Sequence, residues 1–228
     1  MSDKGTARND ASRAEGADAS SATGADSHHV PGVVYDPVAV KIGMWLFLFT
    51  ELLLFGTLFI VYGVYLHDFN WQFRLGSAAL SIPIGTVNTV ILLTSSLTMA
   101  LSIAALQRAD KKRSIGLMWI TILFALAFLV IKSFEWAGKF EHGVYPGSDH
   151  LLELTKGENV FYGLYFTMTG LHALHVIIGI GLILFAMKRV AGERTTPERP
   201  LLLENTGLYW HLVDLIWIFL FPLFYLIS

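Results

Sequence analysis

Residues 159–187 read NVFYGLYFTMTGLHALHVIIGIGLILFAM, a run without a single Asp, Glu, Lys or Arg. A helix needs about 20 apolar residues to cross the roughly 30 Å hydrocarbon core of a bilayer, and this run is longer. Four further runs have the same character, at about 41–66, 83–106, 115–137 and 204–227. The sequence therefore predicts an all-α polytopic membrane bundle with five transmembrane helices.

The composition agrees with a membrane protein and excludes several other classes. Hydrophobic residues make up 54% of the chain, charged residues only 15%, and the mean hydropathy is +0.56. The formal charge is −2 without a basic face, which argues against a nucleic-acid partner. Because the chain has no Cys, disulfides, thiolate metal sites and cysteine nucleophiles are excluded.

Residues 1–36 differ from the rest of the chain. They are rich in Ala, Ser, Gly and Asp and cannot bury enough apolar surface to offset the entropy lost on ordering. We predict a disordered tail at 1–36 and one transmembrane domain at 37–228. The pair His28 and His29 is interpreted as part of this solvated tail.

The loops between the spans predict the orientation in the membrane. Two of them are strongly basic, at 107–113 and at 188–199, whereas the other two contain few Lys or Arg. Basic loops remain on the cytoplasmic side of a membrane. We therefore expect a cytoplasmic N-terminus and an outside C-terminus.

Five ionisable residues lie at a similar predicted depth within the spans. They are Glu51, His172, His175, His211 and Asp214. Charged groups at membrane depth are costly and usually face protein or a polar cavity. This polar layer is interpreted as a hydrogen-bonded seam between helices, with a lipid-headgroup or proton-related site as the functional alternative.

The spacing of these residues adds detail. His172 and His175 are three residues apart and share one helix face, as do His211 and Asp214. A carboxylate one turn from a histidine can accept its N–H and fix its tautomer. A third interpretation makes the histidines haem or metal ligands, which would require His211 to pair with a histidine of the fourth span.

Other patterns predict helix contacts and interface contacts. Lys132 and Glu135 are predicted to form an interface ion pair, with the lysine snorkelling towards water. Gly170, Gly179 and Gly181 predict close helix packing. The tryptophans are interpreted as anchors at the membrane interface; they are Trp45, Trp119, Trp136, Trp210 and Trp217.

No catalytic set is present in the sequence. There is no phosphate-binding glycine loop, no nucleophile beside a base, and no metalloenzyme spacing at membrane depth. A haem-binding membrane cytochrome and a transporter are the competing classes. A transporter would predict paired repeats or discontinuous helices, and neither is visible.

Several motifs resemble subunit III of the haem-copper oxidases. The resemblance covers about residues 40–228 and is most specific in the fourth and fifth spans. The matching segments are GMWLFLFTE at 43–51, VNTVILL at 87–93, FEW at 134–136, TGLHALHVIIG at 169–179 and YWHLVDLIW at 209–217.

The resemblance implies an accessory subunit without a redox centre or cofactor of its own. Haem and copper are then expected in the catalytic subunit I. The expected partners are subunit I, subunit II and phospholipids. Members of the family support assembly, proton uptake and turnover stability, and the glutamate matching Glu51 lies near a lipid cleft.

Mitochondrial-type members have seven spans. The five-span form resembles bacterial versions from cytochrome c oxidases, quinol oxidases and a nitric-oxide-reductase-associated relative, which implies a bacterial plasma membrane.

Overall fold

A computed structural model describes residues 37–141, 143–145, 147–148, 151, 155–197 and 200–227. Within these residues there is no strand, and the helices are α1 Pro37–Asp68, α2 Asn70–Ala78, α3 Ile82–Gln107, α4 Lys111–Glu141, α5 Lys156–Ala191 and α6 Leu201–Tyr225. All but α2 are long and apolar enough to cross a membrane. The predicted all-α fold with five spans is therefore confirmed. The tail at 1–36, with its predicted disorder, lies outside the described residues.

Local signals explain where two of the spans begin. Thr155 and Glu158 form a capping box at the start of α5, in which Thr155 N donates to Glu158 Oε2 over 3.2 Å. This arrangement satisfies N–H groups that a helix start would otherwise leave unpaired. Pro83 lies in the first turn of α3, where its missing N–H costs nothing.

The spans differ in how deeply they are embedded in the bundle. α6 packs against α1, α2, α3 and α5, and α3 pairs closely with α4. In the most apolar 18-residue stretch of α6, half of the residues are buried, whereas only 11% of the residues are buried in the corresponding stretch of α1. Helix α1 therefore lies at the edge of the bundle and depends on a small number of specific contacts.

Two of the predicted interface tryptophans are instead core residues. Trp210 and Trp217 are 0% and 1% exposed. Their indole N–H groups donate to α3, to Ser95 Oγ and Thr89 Oγ1, each over 3.1 Å. The anchor interpretation is therefore wrong for this pair, because buried indoles with a hydrogen-bond partner are stable inside a bundle.

The predicted glycine contacts occur at two of the three positions. A Cβ on Gly179 would lie 2.7 Å from Trp210 Cζ3, and a Cβ on Gly170 would lie 3.3 Å from Trp136 Cη2. A Cβ on Gly181 would meet nothing within 4 Å. Gly179 therefore permits the close contact of α5 with α6, whereas Gly181 has no such role.

This difference gives a matched pair of variants. We expect Gly179→Ala to lower the free energy of unfolding by about 1–3 kcal/mol, because the indole of Trp210 must shift. Gly181→Ala, two residues away, should leave it unchanged or slightly higher. Unfolding of the purified protein in detergent by added denaturant measures both. Equal effects of the two substitutions would contradict the assigned contact.

Candidate functional site: the buried polar side chains

Glu51 of α1 contacts His175 of α5. Glu51 Oε2 lies 2.9 Å from His175 Nε2, and both side chains are at most 15% exposed. His175 Nδ1 lies 2.7 Å from the Leu171 carbonyl oxygen, which can only accept, so Nδ1 carries a proton. A second proton must then lie between Nε2 and the carboxylate, on one or the other. The pair is a proton-holding link between the edge helix and the core of the bundle.

Aromatic residues enclose this link. The ring of Phe55 meets the His175 imidazole edge-on at a centroid distance of 5.2 Å. Tyr209 of α6 donates its hydroxyl to the His175 carbonyl over 3.2 Å, and Phe47 of α1 stacks on the Tyr209 ring. The carboxylate–imidazole contact therefore lies where α1, α5 and α6 meet.

His211 and Asp214 turn towards α3. His211 Nδ1 lies 2.7 Å from Ser96 Oγ, and the Ser96 hydroxyl is also close to the Asp214 carboxylate. Asp214 is only 3% exposed, and neither of its oxygens has a hydrogen-bond partner among the described residues. The spacing allowed a hydrogen bond from His211 to the carboxylate one turn away, but His211 Nδ1 contacts Ser96 instead.

His172 lies apart from both groups. It is fully buried between Phe128 and Trp217, at centroid distances of 5.6 and 5.2 Å. Neither ring nitrogen has a hydrogen-bond partner within the described part of the chain. Although His172 and His175 are one turn apart, they face different neighbours.

The five residues of the predicted polar layer thus form separate small groups. Glu51 and His175 meet, His211 and Asp214 share Ser96 as a neighbour, and His172 is surrounded by aromatic rings. In the parts of the chain that the structure describes, no cluster of three or more His, Asp or Glu residues could hold a metal. The placement of haem and copper in a partner subunit remains a prediction.

Lys132 and Glu135 form a largely buried cluster with two tyrosines. Lys132 Nζ lies 3.2 Å from Glu135 Oε2, and the side chains are 3% and 6% exposed. The ammonium also donates to Tyr165 Oη over 3.0 Å and to Tyr225 Oη over 2.7 Å. Both hydroxyls donate in turn to Glu135 Oε1, over 2.8 and 2.6 Å.

The predicted snorkelling of Lys132 towards water is therefore wrong. The lysine finds three partners inside the bundle, and the ring of Trp217 lies 5.3 Å from its Nζ. Sequence reasoning missed Tyr165, Tyr225 and Ser96 as partners. A tyrosine within an apolar span was the available signal, since a buried hydroxyl needs a hydrogen-bond partner.

The fold and these contacts define a class: an α-helical multi-pass membrane protein. Its spans are joined by a carboxylate–imidazole contact and by tyrosine hydroxyls that bond to a buried Lys–Glu pair of α4. Within that class, the chain belongs to the cytochrome c oxidase subunit III family, whose model matches residues 17–228. The family resemblance predicted from the motifs is confirmed. Subunit III of a haem-copper oxidase works in a complex with other oxidase subunits.

Similar proteins are named either as cytochrome c oxidase subunits or as quinol oxidase subunits. The chain is 31% identical to cytochrome c oxidase subunit 3 of Corynebacterium diphtheriae over 194 residues, covering 84% of this chain and 90% of that protein. It is 30% identical to cytochrome c oxidase subunit 3 of Alkalihalophilus pseudofirmus, covering 82% and 86%. A probable quinol oxidase subunit 3 of Staphylococcus haemolyticus is 29% identical over 205 residues, covering 89% and 96%.

Proposed function

We propose that this chain is the non-catalytic subunit III of a bacterial respiratory cytochrome c oxidase in aerobic electron transport. It binds subunit I and subunit II, which hold the haems and copper, and it supports assembly, proton uptake and turnover stability of subunit I. The contact of Glu51 with His175 is the observation that carries the proposal, because it couples a proton-holding group to the position of α1.

Helix α1 is suited to respond to that contact. Most of its length is unburied within the chain, and it exposes large apolar side chains such as Trp45, Leu46 and Ile60. This face fits phospholipid or a partner subunit. Besides the Glu51–His175 pair, α1 is held by the Tyr62 hydroxyl, which donates to the Leu223 carbonyl, and by aromatic contacts with α6. Losing the pair would loosen the edge of the subunit.

The two basic loops support an N-terminus inside the bacterial plasma membrane. Lys111 at the start of α4 pairs with Glu193 after α5, with 3.2 Å between Nζ and Oε1. Lys41 of α1 and Gln107 of α3 both reach Glu204 at the start of α6. All these helix ends therefore lie together, and the positive-inside rule supports a cytoplasmic location for them.

The second candidate is subunit III of a haem-copper quinol oxidase, which the similarity to the Staphylococcus haemolyticus protein favours. A nitric-oxide-reductase-associated complex is a further variant of the same role. These alternatives differ in the electron donor, which the partner subunits determine.

Purification through a C-terminal tag tests the role and the donor together. We expect a reduced-minus-oxidised haem spectrum only when the large catalytic subunit co-purifies, and none from the chain expressed alone. The co-purifying chains then identify the donor as cytochrome c or quinol. Haem bound to the chain alone would overturn the proposal and make it a membrane cytochrome.

Deletion of the chain tests its contribution to the enzyme. We expect the remaining haem-containing oxidase to assemble poorly or to lose activity during turnover, because subunit I loses the support of α1 and its neighbours. Activity per haem is followed over successive turnovers, with the restored full-length chain as control. An unchanged, long-lived oxidase without the chain would contradict the accessory role.

A further inference from the structure

A pocket of about 310 Å³ opens at the end of the bundle where α6 begins. Lys41 and Glu204 both line it and pair with each other, with 3.7 Å between Nζ and Oε2. His211 also lines the pocket and lies about 10 Å further along α6 than Glu204. The pocket has several times the roughly 30 Å³ that a water molecule occupies in the liquid. Water can therefore reach His211 from this end of the bundle.

His211 connects the pocket to the interior of the bundle. Its Nδ1 lies 2.7 Å from Ser96 Oγ of α3, which leaves Nε2 as the ring nitrogen for the pocket. An imidazole can bind a proton at one nitrogen and release a proton from the other. A hydroxyl can likewise accept one hydrogen bond and donate another. His211 and Ser96 are therefore able to pass a proton inwards.

Asp214 lies at the inner end of this path. It is one turn after His211 on α6, next to the Ser96 hydroxyl, and only 3% exposed. Neither of its carboxyl oxygens has a hydrogen-bond partner among the described residues. Burial of an unpaired charge is costly, and a proton on this carboxyl group removes that cost. Asp214 is therefore suited to receive the proton.

The other titratable groups within the neighbouring spans are engaged elsewhere. Glu51 of α1 and His175 of α5 contact each other, and Lys132 of α4 binds Glu135. His172 of α5 lies among aromatic rings. Helix α3 contains no Asp, Glu, Lys, Arg, His or Tyr. Among the described residues, the serine and the imidazole are thus the polar groups that link the pocket to the buried carboxyl group.

We propose that His211 and Ser96 form a proton relay between the pocket and Asp214. A proton from water binds His211 Nε2, the proton on Nδ1 moves to Ser96 Oγ, and the Ser96 hydroxyl proton moves to the Asp214 carboxylate. The imidazole is then neutral with its proton on Nε2, the serine is again a hydroxyl, and the carboxyl group stores one proton. The relay ends within this chain, and it depends neither on the Glu51–His175 pair nor on a role in an oxidase.

Hydrogen–deuterium exchange of the Asp214 carboxyl group tests the relay. The tagged full-length protein is purified with its co-purifying chains and transferred into heavy water, and the infrared C=O stretching band of protonated carboxyl groups is followed over time. The part of the band that Asp214→Asn lacks belongs to Asp214. Ser96→Ala removes the relay hydroxyl, and Ser96→Thr keeps one. Ser102→Ala is the control, since Ser102 lies on the same helix and donates to the Met99 carbonyl.

We expect Ser96→Ala to slow the exchange at Asp214 about a hundredfold, the lower end of what a positioned proton-transfer group contributes to a rate. His211→Phe should slow it similarly, whereas Ser96→Thr and Ser102→Ala should exchange like the wild type. An unchanged rate in Ser96→Ala would overturn the relay, as would an equal slowing in Ser102→Ala. A band that Asp214→Asn leaves intact would also overturn it, because Asp214 would then hold no proton.

The readout keeps the relay separate from the oxidase proposal. The band reports a carboxyl group of this chain, so the exchange can be measured whether or not haem subunits co-purify. Where Asp214→Asn fails to fold, the exchange of the whole carboxyl band in Ser96→Ala, compared with Ser96→Thr, still decides. Equal exchange in these two variants would overturn the relay.

Discussion

Lys132→Met is expected to lower the free energy of unfolding by about 3–5 kcal/mol, because it leaves Glu135 buried without its cation. The carboxylate would keep the two tyrosine hydroxyls, but hydrogen bonds alone do not replace a paired charge in a low dielectric. Denaturant unfolding of the purified protein in detergent measures the change.

Matched variants separate the loss of the pair from the loss of a lysine. Lys112→Met removes an exposed lysine from the same helix and should have little effect, within about 0.5 kcal/mol. The double variant Lys132→Met, Glu135→Met removes both charges and should recover part of the lost stability. A double variant that is less stable than Lys132→Met would show that the charges themselves are not the source of the effect.

Glu51→Gln is expected to assemble and yet to shorten the active lifetime of the oxidase about fivefold. The amide can still bond to His175, so the complex assembles, but the proton shared by the pair is lost and the link is weaker. Weakening this link by about 1 kcal/mol raises the population of displaced α1 about fivefold. Lifetime is measured as the number of turnovers before activity is lost, together with the lipid content of the complex.

Two further variants show whether the carboxylate acts through His175. Glu193→Gln changes a carboxylate whose side chain is 82% exposed and should leave the lifetime unchanged. Adding His175→Gln to Glu51→Gln should shorten the lifetime no further, since both act on one contact. If Glu51→Gln had the lifetime and lipid content of the wild type, the pair would be only a structural hydrogen bond.

The spans could be predicted from the sequence because membrane helices obey a length rule. Each predicted run, such as 159–187, lies almost entirely within an observed helix, and the observed helix is usually a few residues longer. Polar ends such as Lys156 and Arg189 extend helices beyond the apolar core, where hydropathy gives no signal. The short helix α2 was not predicted, since Asn70–Ala78 is neither long nor uniformly apolar.

The partners of the polar residues could be predicted only in part. The spacing of Lys132 and Glu135 on one helix was sufficient to predict their ion pair. It could not show that Tyr165 and Tyr225 complete the cluster, because those residues come from other helices. The same limit explains why Ser96, and not Asp214, bonds to His211.

What the sequence alone determined was the number of spans, the family and the ionisable residues that lie within the spans, because these follow from local composition and from motifs read along one chain. The tertiary structure alone decided which of those residues meet. Glu51 is 124 positions from His175, and Tyr225 is 93 positions from Lys132. Such contacts depend on how each helix is rotated and on which helix lies beside it, and interhelical packing sets both.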